Sequence, residues 1–256
     1  MQIIGWLALP VLLLSAVPMF AEQEITIAAA ADLQPVMQEL VTRFESQTHS
    51  NVKLSFGSSG NFFAQIQNGA PYDLFFSADV SYPQKLQSEG LAQPGSLYEY
   101  ATGKIVLWTA RASVIDVSKG LSVAADAAVK RFALANPAHA PYGRAGQAAL
   151  KKAGLWEKVA PKLVMGESIA QTAEFVQSGN ADLGIVALSL ALSPSMKKDG
   201  RYFEIPQDLY PPLRQAAVIL KRSQHKESAA KFLDFMKTPA SKSLLLQYGF
   251  APAENP

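Results

Sequence analysis

Val52, Leu54 and Phe56 alternate with polar residues, the period of a strand with one buried face. The pattern breaks at Gly57-Ser58-Ser59-Gly60. It resumes with Phe62, Phe63 and Ile66 at helical spacing, and Asn68-Gly69 supplies a stop. The same strand–turn–helix unit recurs twice, and a fourth helix start follows. Ile25 and Ile27 open a strand that runs through four alanines into Asp32, and a helix follows with Leu33, Val36, Met37, Leu40 and Phe44 on one face. Phe132 and Leu134 lead through Asn136-Pro137 to Pro141-Tyr142-Gly143 and a helix of Ala145, Ala148, Ala149 and Leu150, ended by Gly154. At Glu167-Ser168-Ile169, Ser168 and Gln171 have capping-box spacing, and the helix carries Ala173, Phe175 and Val176 to Gly179.

Further strands are expected at residues 74–76, 104–109, 183–188 and 216–220, and closing helices at 227–237 and 239–248. Gly184-Ile185-Val186-Ala187 is apolar on both faces, as in a parallel strand covered by helices. This alternation predicts an α/β architecture. Residues 98–104 and 210–215 read as crossings between two units, which makes the middle third an insertion in a domain built from both ends. The expected division is 22–102 plus 214–256 as lobe 1 and 103–213 as lobe 2. The cleft between them is where the four junctions can meet.

Those junctions carry the candidate chemistry. The first amides of a helix have no internal partner, and the helix dipole is positive there. Small or hydroxyl residues leave that end open, so a small anion can be held without lysine or arginine. The competing reading is local: Ser58 or Ser59 caps its helix, and Asp32 caps the helix that follows it. Pro35 is compatible with that helix because it falls in the first turn.

Composition narrows the classes. Residues 1–21 contain no charged side chain, residues 7–17 are almost wholly apolar, and Ala21 precedes Glu22-Gln23-Glu24. This reads as a secretory signal cleaved after Ala21, against the alternative of an uncleaved anchor. Beyond it no apolar run is long enough to span a membrane, so an exported protein is expected. The 256 residues hold no cysteine, which excludes disulfides, thiol catalysis and cysteine-ligated zinc. A net charge of +2 without a dense basic stripe argues against nucleic acid as a partner.

Enzyme readings find little. His49, His139 and His225 share no ligand spacing and read as ordinary surface or loop residues. G-x-S-x-G, H-E-x-x-H and G-x-x-x-x-G-K-[ST] are all missing from the sequence. Gly57-Ser58-Ser59-Gly60 looks like a nucleophile turn, yet the sequence signals no base beside it. Asp73 and Asp79 read as backbone-bonding carboxylates. The expectation is a protein that is not an enzyme.

FGSSGNFFAQIQNGAPYDLFFSAD, the opening AAAADL, the central NPAHAPYGRAGQAAL and the late ADLGIVAL resemble the periplasmic molybdate-binding proteins of bacterial ABC transporters. The likeness runs from Glu24 to Ala251, in order and with matching gaps. It implies a two-lobed periplasmic-binding-protein fold of type II, each lobe a mainly parallel sheet flanked by helices. It also implies a monomer that captures molybdate or tungstate in the cleft and passes it to a membrane permease. The molybdenum is bound only as the oxyanion, without protein ligands of its own and without a cofactor. Carried over by position, the ligand residues are Ala31 and Asp32, Ser58 and Ser59, Tyr142, and Ile169. Many members have serine in place of Asp32, and some use a tyrosine where this chain has Ala187; Tyr142 is then a candidate phenol. A carboxylate facing the ligand would instead suit hydrogen phosphate, so phosphate or sulfate stands as the alternative cargo. Asp32 is expected to cap its own helix, with only its N–H facing the ligand.

Overall fold

The computed structural model describes residues 24–48 and 50–253. The expected signal peptide at residues 1–21, and His49, lie outside the described residues. In chain order the first segment comprises β1 (Glu24–Ala30), α1 (Gln34–Thr48), β2 (Asn51–Gly57), α2 (Ser59–Gln67), β3 (Leu74–Ser77), α3 (Ser81–Ser88) and β4 (Tyr98–Gly103). The middle segment comprises β5 (Ile105–Ala110), β6 (Phe132–Ala135), α4 (Pro141–Lys152), α5 (Trp156–Val159), β7 (Leu163–Gly166), α6 (Ile169–Gln177), β8 (Leu183–Ala187), α7 (Leu188–Ala191), α8 (Pro194–Asp199) and β9 (Gly200–Glu204). β10 (Leu213–Ile219), α9 (Lys226–Met236) and α10 (Pro239–Gln247) close the chain.

Among the described residues ten strands form two five-stranded sheets, in the orders β2-β1-β3-β10-β4 and β7-β6-β8-β5-β9. The fold is α/β in the two-lobed periplasmic-binding-protein arrangement, but "mainly parallel" needs refining. In each sheet three adjacent strands run parallel, and the other two pairings are antiparallel. β5 and β10 are the strands the chain enters on leaving the other sheet, and each runs against its neighbours. Gly184–Ala187 accordingly lies between a parallel β6 and an antiparallel β5, although it is buried throughout. Residues 98–103, read as part of a crossing, are strand β4; Lys104 alone separates it from β5.

The first sheet is covered on both faces, and the strand period sorts its side chains. Ile27, Ala29, Phe76, Ala217 and Ile219 pack with α1, α9 and α10 through Leu40, Phe44, Phe232 and Leu244. Ala28, Phe75 and Val218, one position out of step, pack with α2 and α3 through Phe62, Phe63 and Leu86. The second sheet's core reaches across the cleft to Ala30, Ala31 and Ala78 of the first lobe.

Register brings the junctions together. β1 and β2 end on the paired residues Ala30 and Gly57, so their chains leave the sheet side by side. β6 and β7 end likewise on Ala135 and Gly166. All four strand-to-helix turns therefore lie at the carboxyl ends of parallel strands, where open α/β sheets carry ligands.

Candidate functional site

The turns meet around one small cavity of about 10 Å³, lined by Ala30, Ala31, Asp32, Gly57, Ser58, Ser59, Ala78, Ala140, Pro141, Tyr142 and Ile169. All six residues singled out from the sequence are among them. Neither lysine nor arginine contributes. A larger interlobe groove of about 510 Å³, lined by Gln34, Glu174, Met196 and Tyr248 among others, includes none of the six.

Each turn presents backbone donors. Residues Ala31–Leu33 form one turn of 3-10 helix ahead of α1, and the first amides of such a turn lack intrahelical acceptors. Pro141 opens α4 without an N–H, so Tyr142 supplies the first amide. Ser168 caps α6, its hydroxyl accepting from the Gln171 amide at 3.2 Å, which leaves the Ile169 N–H without that partner. The capping box is shifted by one residue, because Gln171 Oε1 accepts from the Glu167 amide rather than from that of Ser168.

The two serines differ. Ser59 Oγ accepts the Ala78 N–H at 2.9 Å and is fully buried, so its own proton is free to donate into the cavity. Ser58 holds the N-cap position of α2 without making the side-chain cap bond, which corrects the capping reading. Its hydroxyl lies 2.9 Å from His139 Nδ1 instead.

Asp32 also departs from expectation. The N-cap position before it belongs to Ala30, and no side-chain cap is made. Its carboxylate is fully buried and turned toward the second lobe. Oδ2 accepts from the Tyr142 hydroxyl at 2.9 Å and from Gln215 Nε2 at 2.6 Å. Behind them, Tyr100 donates to Gln215 Oε1 at 2.7 Å. Oδ1 has no hydrogen-bond partner. Burial pushes the Asp32 carboxyl up to about 6, held back by the Gln215 and Tyr142 bonds and, more weakly, by the amides of Asp32 and Leu33. Burial, and then the charge of Asp32, push the Tyr142 phenol well above its ordinary range. The Tyr142 hydroxyl gives its proton to Asp32 in this arrangement, and its amide lies at the start of α4. A Cβ at Gly103 would collide with this hydroxyl, so glycine at the end of β4 lets the ring sit against the crossing.

His139 is not the ordinary loop residue expected. Its ring bridges Ser58 and, at 3.2 Å through Nε2, Glu167. Its peptide oxygen accepts the Gly60 N–H at 2.9 Å, an approach a Cβ at Gly60 would block at 2.6 Å. Elsewhere on the rim Arg144 donates to Asp79 Oδ2 at 2.6 Å and to the Tyr82 hydroxyl at 3.2 Å. Asp73 and Asp79 both accept backbone amides, from Thr26 and Ser81 respectively, as their sequence setting suggested. His225 is half-exposed beside Asp73.

Residues 25–251 match the family model of bacterial extracellular solute-binding proteins. The molybdate-binding protein of Azotobacter vinelandii is 41% identical over 89% of this chain and 89% of its own length. That of Rhodobacter capsulatus is 41% identical over 90% and 89%. The solved periplasmic molybdate-binding protein of A. vinelandii superposes with a TM-score of 0.85 at 37% identity, covering 90% of this chain and all of that one. The chain belongs to the bacterial extracellular solute-binding proteins and, within them, to the family of molybdate-binding proteins.

Proposed function

We propose that this member of the molybdate-binding family captures molybdate between its lobes and delivers it to the permease of an ABC transporter. The observation that carries the reading is the convergence of four helix starts, two from each lobe, on one enclosed cavity without a cationic side chain. Backbone amides at Ala31, Asp32, Ser59, Tyr142 and Ile169, together with the Ser59 hydroxyl, form a cage of neutral donors suited to a tetrahedral dianion. Tungstate, of the same charge and shape, is a second cargo. Ala31, Ser59, Tyr142 and Ile169 are all at most 4% exposed, so an anion enters only when the lobes part. Ligand bridging both lobes then favours the closed arrangement. The protein acts in the periplasm as a monomer, after cleavage near Glu22, and N-terminal sequencing of the exported chain checks that start.

Ser58, His139 and Glu167 have the residue types of a hydrolase triad. They join opposite lobes, so the opening that admits a substrate separates the serine from its base. The relatives with closely similar sequences are binding proteins. Calorimetric titration with molybdate, tungstate, sulfate and phosphate in turn tests the proposal. Molybdate and tungstate are expected to bind with Kd of about micromolar or tighter, a free energy near −8 kcal/mol or beyond. Tighter binding of phosphate or sulfate would overturn it.

A further inference from the structure

A carboxylate is an odd neighbour for a bound dianion. Asp32 lines the cavity, is fully buried and faces only neutral donors, Tyr142 and Gln215 on Oδ2 and more weakly the amides of Asp32 and Leu33, while Oδ1 completes no hydrogen bond. Every element packed against it has the same character. Tyr100 comes from β4, Tyr142 from α4 and Gln215 from β10. Ser189 of α7 donates to the Asp32 peptide oxygen at 2.7 Å. Residues 169–172 of α6 and 188–191 of α7 contain no ionisable side chain. On α1 the first charge is Glu39, which pairs with Arg43. The nearby cations are engaged elsewhere, Arg144 with Asp79 and Arg214 with Glu99. Among the described residues no cationic side chain offsets an ionised Asp32 once an anion arrives.

From this geometry we infer that Asp32 occupies the loaded cleft as a neutral carboxylic acid whose Oδ1–H donates to the bound oxyanion, so that each dianion captured brings in one proton from solution. The inference rests on the molybdate reading above. Protonation removes the like-charge repulsion and turns Oδ1 into a donor, while Oδ2 keeps both of its bonds. The balance is simple. Ionised Asp32 takes a proton from water or buffer, and molybdate, which carries none at pH 7, gives none; no other bond forms or breaks. Burial already pushes the empty-site carboxyl up to about 6, and an adjacent dianion drives it further in the same direction. A buried carboxylic acid kept neutral to donate a hydrogen bond has precedent in enzyme oxyanion sites.

The test is calorimetry of molybdate binding to the mature chain at pH 7–8 in Tris, Hepes and Pipes, whose ionisation enthalpies differ. Wild type is expected to take up close to one proton per anion, with Kd weakening by up to about tenfold per pH unit. Asp32→Asn, whose amide donates without a proton, should bind with buffer-independent heats and a flat pH profile. A role confined to structure would not move the proton count. Molybdate binding by wild type with buffer-independent heat overturns the inference and leaves the functional reading intact, even if the variant fails to fold. Phosphate bound more tightly than molybdate, and more so with rising pH, would mark Oδ1 as an acceptor and overturn both. No molybdate binding at all also removes both.

Discussion

At the rim of the cleft Arg144 reaches Asp79 and His139 reaches the buried Ser58; Arg144, Asp79 and His139 keep partial contact with water. At the deep end Tyr142 and Gln215 hold Asp32, and none of the three side chains is more than 2% exposed. Both regions tie the same two lobes together. The rim pairs Arg144 with Asp79 in a high-dielectric setting, where the net value of such a pair is small. The deep end pairs one ionisable group with neutral donors in a dry setting, where its protonation state carries a large free energy. The stronger control over closure therefore lies in the region with fewer charges.

The difference is broken most sharply by Asp32→Asn. In the folded protein the Asp32 carboxyl stands near 6 instead of its ordinary 3.8, so folding favours its protonated form. Its stabilising contribution is complete below about pH 3.8 and lost as pH rises through 6. Above that the wild type carries a buried charge costing about 3 kcal/mol. Denaturant unfolding of the unliganded proteins should show Asp32→Asn more stable by up to about 3 kcal/mol at pH 8 and nearly equal at pH 4. Ser59→Ala comes next. It removes the hydroxyl that accepts from Ala78 and points its proton at the cavity, and should weaken molybdate binding by about 1.5–3 kcal/mol in calorimetry. Ser168→Ala removes a cap without touching the anion. It should cost about 1 kcal/mol of folding stability and less than that in affinity. Arg144→Gln, at the rim, is the smallest: about 0–1 kcal/mol in affinity, vanishing at high salt.

The sequence made the four helix starts legible because each is local. A strand period ends, small or hydroxyl residues follow, and a helical period begins. Parallel register then brought the turns together, as at Ala30 beside Gly57 and Ala135 beside Gly166. What was not legible depended on distant partners. Asp32 reads locally as a cap, but its partners Tyr142 and Gln215 lie 110 and 183 positions away. Tertiary hydrogen bonds from those residues overrode the local preference. His139, 81 positions from Ser58, was missed for the same reason. β7 and β9 escaped notice because both are short edge strands, four and five residues long, with little alternation. The signal that could have flagged Asp32 was its chemistry: an acid among alanines at a turn otherwise suited to anions.

The central claim is that an oxyanion of molybdenum sits in the enclosed cavity where the helix starts of both lobes meet. Crystals of the mature protein grown with molybdate, measured on both sides of the molybdenum absorption edge, test it directly. The account predicts one strong anomalous peak between Asp32, Ser59, Tyr142 and Ile169. A peak confined to the open groove near Gln34 and Met196, or none in a protein shown to bind molybdate in solution, would contradict it.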